Sequence, residues 1–290
     1  MKFQSRRAAT LAAVALVASL GLTACGGNDD DGGSSGGGDV QITMLPKNLG
    51  NPYFDTSTAG SEKAADEFGG SIDEVGPDTA TPDAQVPFIN TAAQQGVDAL
   101  VVSANDPEAI CDALTEASDA GTSIVTFDSD TNPDCRDIFV NQASPEGIAK
   151  AQVDLIADQI GDSGQIAILS AAANATNQNT WIDMMKDELA ANHPDIELVD
   201  TVYGDDDDQK SFQEAQGLLA KHPNLKGIIS PTTVGIAAAG RYLSGSSYKG
   251  KVQLTGLGTP NQMKAYVKDG TVKAFALWNP ADLGYLAAYA

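Results

Sequence analysis

From residue 41 onward, apolar and polar positions follow two alternating rhythms. Short apolar runs rich in Val, Ile and Leu fall at 41–45, 71–75, 99–103, 123–127, 138–141, 165–170, 197–203, 227–230, 252–256 and 272–277, the length and composition of buried strands. Between them, at 59–68, 84–95, 108–120, 145–160, 180–191, 209–220, 234–243 and 260–268, apolar residues recur at helical spacing. Several of these segments open on Pro, Asp or Thr and stop at Gly, as helix ends do. Such strict alternation predicts parallel strands joined by helical crossovers, an α/β fold. The run at 138–141 leads into Gln142, Ala143, Ser144 and Pro145, after which a new β/α series begins. A first crossover between two lobes is expected there, and a second at 277–280. The N-terminal lobe then spans 39–142 and the C-terminal lobe 143–277, while 278–290 forms the crossover and a helix returning to the first lobe. That last helix has no stop signal, so the chain is expected to be C-terminally truncated.

The N-terminal residues belong to neither lobe. Lys2, Arg6 and Arg7 precede a nearly uncharged, Ala- and Leu-rich stretch ending at Ala24, the layout of a signal peptide over 1–24 and too short for a transmembrane span. The ending LTAC at 22–25 resembles a bacterial lipobox, which would make Cys25 the lipid-modified first residue of the mature protein. Residues 26–38 are all Gly, Ser, Asn or Asp, so 25–38 is expected to be a flexible, lipid-anchored linker. The expected location is outside the cell, held to the outer face of the cytoplasmic membrane through the lipid alone. With 39 acidic against 17 basic residues and a net charge of −22, a nucleic-acid partner is excluded. The remaining cysteines, Cys111 and Cys135, form an even pair in an oxidising compartment. A disulfide is expected over two buried thiols.

Open parallel sheets bind ligands beyond the carboxyl ends of their strands, and in this chain those positions are polar. Lys47, Asn48 and Asn51 follow the first strand; Asp128 and Asp130 follow the fourth; Asn141 and Gln142 follow the fifth. Asn177 and Gln178 follow the sixth, Pro231 and Thr233 the eighth, and Trp278 and Asn279 the last. Amides donate and accept at once, carboxylates accept strongly and an ammonium donates, which suits sugar hydroxyls. Tyr53, Phe54, Phe127, Trp181 and Trp278 are candidate surfaces for a sugar's C–H face. Taken singly, Asn51 and Asp130 read as local backbone caps, and Trp181 as a core residue beside Met184, Met185 and Leu189. Recurrence after strand upon strand carries the inference.

The segments MLPKNLGNPYF (44–54), SANDP (103–107), TFDSD (126–130), VNQA (140–143), TNQN (176–179), SPTT (230–233) and FALWNP (275–280) resemble the rhamnose-binding proteins of bacterial ABC sugar importers. They are also similar to the related autoinducer-2-binding proteins. Both groups belong to the ribose-binding-like, type I periplasmic binding proteins, and the likeness runs from about residue 40 to the end. It implies two Rossmann-like lobes joined by hinge crossovers, closing on one monosaccharide, and an ABC permease with its ATPase as partners of a monomer without cofactor or metal. In the autoinducer-2 receptors the contacts come from a Lys, an Asp, an Asp-Gln pair, a Pro and an Ala. Lys47, Asp128, Gln178 and Pro231 match four of these, whereas Asn177 stands for the second Asp and Thr233 for the Ala. The departures favour a deoxysugar such as rhamnose; the alternative is autoinducer-2 or another sugar-like signal feeding an importer or a sensor.

An enzyme is not expected. Asp128 and Asp130 alternate on an extended segment and point apart, unlike a glycosidase pair, and no nucleophile elbow or His-x-x-x-His spacing occurs. Asp205 to Asp208 lack the spacing of a calcium loop and read as a solvated helix start. GLGTP at 256–260 lacks the ending of a phosphate loop and reads as a strand cap at the cleft rim.

Overall fold

The computed structural model describes residues 39–290; the expected signal peptide at 1–24, Cys25 and the linker to 38 lie outside them. Strands β1 (Gln41–Leu45), β2 (Ser71–Glu74), β3 (Ala99–Val102), β4 (Ser123–Phe127) and β5 (Ile138–Val140) form one sheet in the order β2-β1-β3-β4-β5. Strands β6 (Gly164–Ser170), β7 (Ile196–Tyr203), β8 (Leu225–Ser230) and β9 (Gln253–Gly256) form a second in the order β7-β6-β8-β9. Every strand pairing is parallel, so successive strands are linked by crossovers, most of them helical. The helices are α1 (Pro52–Phe68), α2 (Pro82–Gln95), α3 (Cys111–Asp119), α4 (Pro145–Ile160), α5 (Thr176–Asn192), α6 (Asp208–Lys221), α7 (Thr233–Ser244), α8 (Pro260–Lys268) and α9 (Pro280–Tyr289).

The two-residue period of the strands divides each sheet between two apolar layers. Ile42, Met44, Val101, Val125 and Phe127 pack with Phe54 and Ala64 of α1 and Leu283 and Ala287 of α9. Their neighbours Leu45, Leu100, Val102 and Ile124 pack with Ile89 of α2 and Leu114 of α3. In the second lobe, Ile166, Ile168 and Ile229 meet Val153 of α4 and Trp181 and Met185 of α5. Ala167, Leu169 and Ile228 meet Leu218, Ile236 and Met263 of α6, α7 and α8. Each fully buried Ile or Leu is worth about 1.5–3 kcal/mol, so both faces of each sheet must be covered. Cys111 and Cys135 are bridged, their Cα atoms 5.4 Å apart.

The chain passes from the first sheet to the second between Val140 and Pro145, and returns after Ala276. The apolar run at 272–277 does not form the expected strand. Only Ala276 pairs, in a single parallel bridge with Leu257, its N–H donating to Gly256 O and its carbonyl accepting from Gly258 N. The preceding carbonyl of Ala274 accepts from the Thr255 hydroxyl at 3.0 Å, and the chain then leaves for the other lobe. Two helices begin earlier than their apolar periodicity predicts. Asn51 caps α1, accepting from Tyr53 N at 3.1 Å ahead of Pro52, and α5 begins at Thr176. Candidate site residues therefore sit in first helical turns.

The returning helix α9 packs on α1 at backbone distance. A Cβ placed on Gly60 would stand 1.9 Å from Ala281 O, and one on Gly284 1.9 Å from Ser57 O. Ser61 Oγ donates across the contact to Gly284 O at 2.8 Å. Gly60→Ala or Gly284→Ala should cost about 1–3 kcal/mol by overpacking, read as a lower urea midpoint with unchanged slope; an unmoved midpoint would mean that the two helices can part freely.

Candidate ligand-binding cleft

Six strand ends contribute to one hollow between the lobes. Its walls include Lys47 and Asn51 after β1, Asp128 after β4, Gln178 after β6, Asp206 after β7, Pro231, Thr232 and Thr233 after β8, and Leu257 after β9. Tyr53, Phe54, Trp181, Leu277 and Trp278 complete it. The atom-free space is ≈ 380 Å³, partly open to solvent.

Direct bonds cross the gap. Lys47, 2% exposed, donates from Nζ to Asn177 Oδ1 at 2.8 Å and Gln178 Oε1 at 3.3 Å. Asn177 Nδ2 reaches back to Asp128 Oδ2 at 3.4 Å, and Thr233 Oγ1 donates to Asn51 Oδ1 at 3.3 Å. Asp128 sits in the left-handed region, φ 60, which disfavours a residue with a Cβ. Its carboxylate accepts from Tyr53 OH at 3.0 Å and Ser103 Oγ at 2.9 Å. Trp278 Nε1 donates to the same Tyr53 oxygen at 2.8 Å, and its ring lies edge-on to Tyr53 and Trp181, centroids 6.0 and 5.9 Å away.

Burial perturbs the charges. It pushes the Lys47 ammonium below its ordinary value, against the pull of Asp128 and Asp206. It pushes the Asp128 carboxyl up, opposed by Lys47 and by the bonds from Ser103, Tyr53 and Asn177. Asp206 is pushed up for the same reason, opposed by Lys47 and the Thr232 hydroxyl.

Of the residues expected at the site, Lys47, Asn51, Tyr53, Phe54, Asp128, Gln178, Pro231, Thr233 and Trp278 line this hollow, and Asn177 reaches it through Lys47 and Asp128. Others stand apart. The Asp130 carboxylate is held in a fork by Arg136, Nε at 2.8 Å and Nη2 at 2.9 Å, and also accepts from Thr126 and Thr131, so its capacity is spent on its own loop. Asp130, Asn141 and Gln142 border a neighbouring hollow with ≈ 380 Å³ of atom-free space, with Asn141 exposed. Asn48 lines the cleft mouth. Asn279 is exposed and caps α9, accepting from Ala281 N at 3.1 Å. Phe127 is fully buried in the first lobe, not a stacking surface. Trp181 belongs both to the core and to the wall.

Asp206 was not expected here. Asp207 does cap α6, accepting from Lys210 N, and Asp208 opens that helix, as a solvated helix start predicts. Asp205 and Asp206 instead take left-handed φ values of 55 and 51, and Asp206 becomes a wall, accepting from Thr232 Oγ1. Its place directly after β7 was the available signal.

Two α/β lobes joined by crossovers, with polar groups of both converging on one crevice, define a solute-binding protein of the hinged kind. The periplasmic binding protein domain family model matches residues 42–290, and the chain belongs to that family. A sugar ABC transporter structure from Actinomyces odontolyticus is 58% identical, covering 86% of this chain and 81% of that one, with a TM-score of 0.66. An ABC transporter solute-binding protein from Clostridium phytofermentas with bound L-rhamnose is 42% identical, covering 87% and 79%, at 0.84. LsrB from Clostridium saccharobutylicum in complex with AI-2 is 28% identical, covering 86% and 80%, at 0.82. Within its family the chain stands with the sugar-binding components of ABC importers, which carry solutes and are not enzymes.

The raised carboxyls give a signed pH dependence. Asp128 and Asp206 contribute stability that is fully present below their ordinary value of 3.8 and is lost as pH rises through their higher folded values. Lys47, with a lowered value, does the reverse on the alkaline side, contributing fully above 10.5. The unfolding free energy of wild type minus that of Asp128→Asn should therefore fall as pH is raised from 3.8 toward neutrality. Parallel pH profiles would show that Asp128 titrates as an ordinary carboxylate.

Proposed function

We propose that the chain captures L-rhamnose, or a closely similar neutral monosaccharide, by hinge closure and delivers it to an ABC permease and its ATPase. The observation that carries this reading is the convergence of Lys47 and Asp128 from one lobe with Gln178 and Thr233 from the other on a single buried hollow. When the lobes part, the Lys47 donors and the Asn177 and Gln178 acceptors that now satisfy one another become available to sugar hydroxyls. A sugar bridging both sets favours the closed form, because only that form offers all contacts at once. Trp181, Leu257, Leu277 and Trp278 supply an apolar wall suited to a ring's C–H face and to the methyl group of a 6-deoxy sugar.

The L-rhamnose complex of the 42%-identical structure supports this choice of sugar. AI-2, bound by the 28%-identical neighbour, is the rival signal. Asn177 in place of a second Asp and Thr233 in place of an Ala weigh against it. The same reading places the protein at the membrane surface as a monomer, anchored through a lipid on Cys25.

Isothermal titration against L-rhamnose, D-ribose and autoinducer-2 should give one-to-one binding with L-rhamnose tightest; no heat with any of the three would remove the proposal. Asp128→Ala should weaken L-rhamnose binding by roughly 10- to 150-fold, the worth of about 1.5–3 kcal/mol for a hydrogen bond to a charged group. Full affinity in that variant would mean that the sugar sits elsewhere.

A further inference from the structure

The charges on the cleft walls do not balance. Among the described residues, Lys47 is the one cation lining the hollow, and Asp128 and Asp206 are two anions. The mouth beside it, with ≈ 1030 Å³ of atom-free space, adds Asp78, Asp205 and Asp207 against Lys210 alone, and Lys210 is already paired with Asp205. Asn48, 7% exposed, borders that mouth with its Oδ1 buried and without a donor. The charged groups of the cleft are thus mostly acceptors, the reverse of what a carboxylate or phosphate ligand needs.

Asp206 is the pivot of this arrangement. It lies in the second lobe, whereas Asp128 and Lys47 lie in the first, and it shares walls with both the hollow and the mouth. Two consecutive non-glycine residues in left-handed backbone, Asp205 and Asp206, are uncommon and cost energy. The turn they make brings the half-buried Asp206 carboxylate to the Thr232 hydroxyl at the cleft.

We propose that Asp206 is a ligand-contacting, specificity-determining residue: its carboxylate accepts hydroxyl hydrogens of an uncharged sugar from the lobe opposite Asp128, and the two acids together exclude acidic sugars. The inference rests on the sugar-binding reading above and adds the charge class of the solute. A hexuronate entering this crevice meets two carboxylates and one ammonium, in surroundings where water screens little. A neutral sugar carries no charge for the two carboxylates to repel, and its hydroxyl groups can donate to them.

The test is titration of L-rhamnose into wild type, Asp206→Asn, Asp206→Ala and Asp119→Asn, with sodium galacturonate as competitor. Asp206→Ala should lose roughly 10- to 150-fold in affinity, the span measured for charge-assisted hydrogen bonds, and Asp206→Asn should lose part of that. Asp119→Asn, altering an exposed acid of equal charge at the end of α3, should stay within about twofold, as surface substitutions do. Excess galacturonate should leave the wild-type L-rhamnose isotherm unmoved. Unchanged affinity in Asp206→Ala overturns the contact, and displacement of L-rhamnose by galacturonate overturns the charge exclusion. If wild type binds no neutral sugar, the sugar reading and this inference fall together; if it does and Asp206→Ala binds equally well, this inference falls alone.

Discussion

One buried ammonium organises the cleft. Removing an ion such as Lys47 from water costs several kcal/mol even after relaxation, and the first lobe alone cannot offset it. Its direct acceptors, the Asn177 and Gln178 side-chain oxygens, belong to the second lobe, and of the carboxylates that attract it, one comes from each lobe. The satisfied state of Lys47 therefore exists only where the halves meet, and whatever lies between them must replace those partners.

The rim of the first lobe is correspondingly stiff. Asp128 keeps an unfavourable backbone conformation because the loop after it is fastened at several points. Asp130 and Arg136 form a two-bonded fork, Thr131 Oγ1 donates to Pro107 O at 2.7 Å, and Cys135 is bridged to Cys111. Residues that look like ligand contacts by position thus hold the one that reaches the hollow. Preorganisation of this sort saves a bound solute from ordering the loop itself.

The alternation of strands and helices was legible because period two and period 3.6 are imposed by burial within a single element, as Ile166 and Ala167 facing opposite layers illustrate. The first crossover was expected at 142–145 because a new β/α series follows it. The run at 272–277 misled, since apolar content reports burial and not pairing: Val272 is buried in the second lobe without a strand partner. Asp130 and Asp128 look alike in sequence. What separates them is Arg136, six residues on, folding back on one and not the other, which no local spacing encodes. Asp206 was hidden in a run of four aspartates, where the capping role of Asp207 and the position of Asp208 account for the run without requiring that one of its members turn inward.

The docking of α9 on α1 bears on the order in which the molecule is built. The helix is supplied by the far side of the chain, yet Leu283 and Ala287 cover Ile42, Met44 and Phe127 at its near side. As the polypeptide emerges from the ribosome, or from a translocation channel, the first lobe, whose last strand ends at Val140, must wait with an uncovered apolar face until Leu283 has followed (283 − 140 = 143 residues). Contacts so distant in sequence close slowly, and faces left bare in the interval favour aggregation. Docking of α9 is accordingly among the last steps in closing the core of the first lobe.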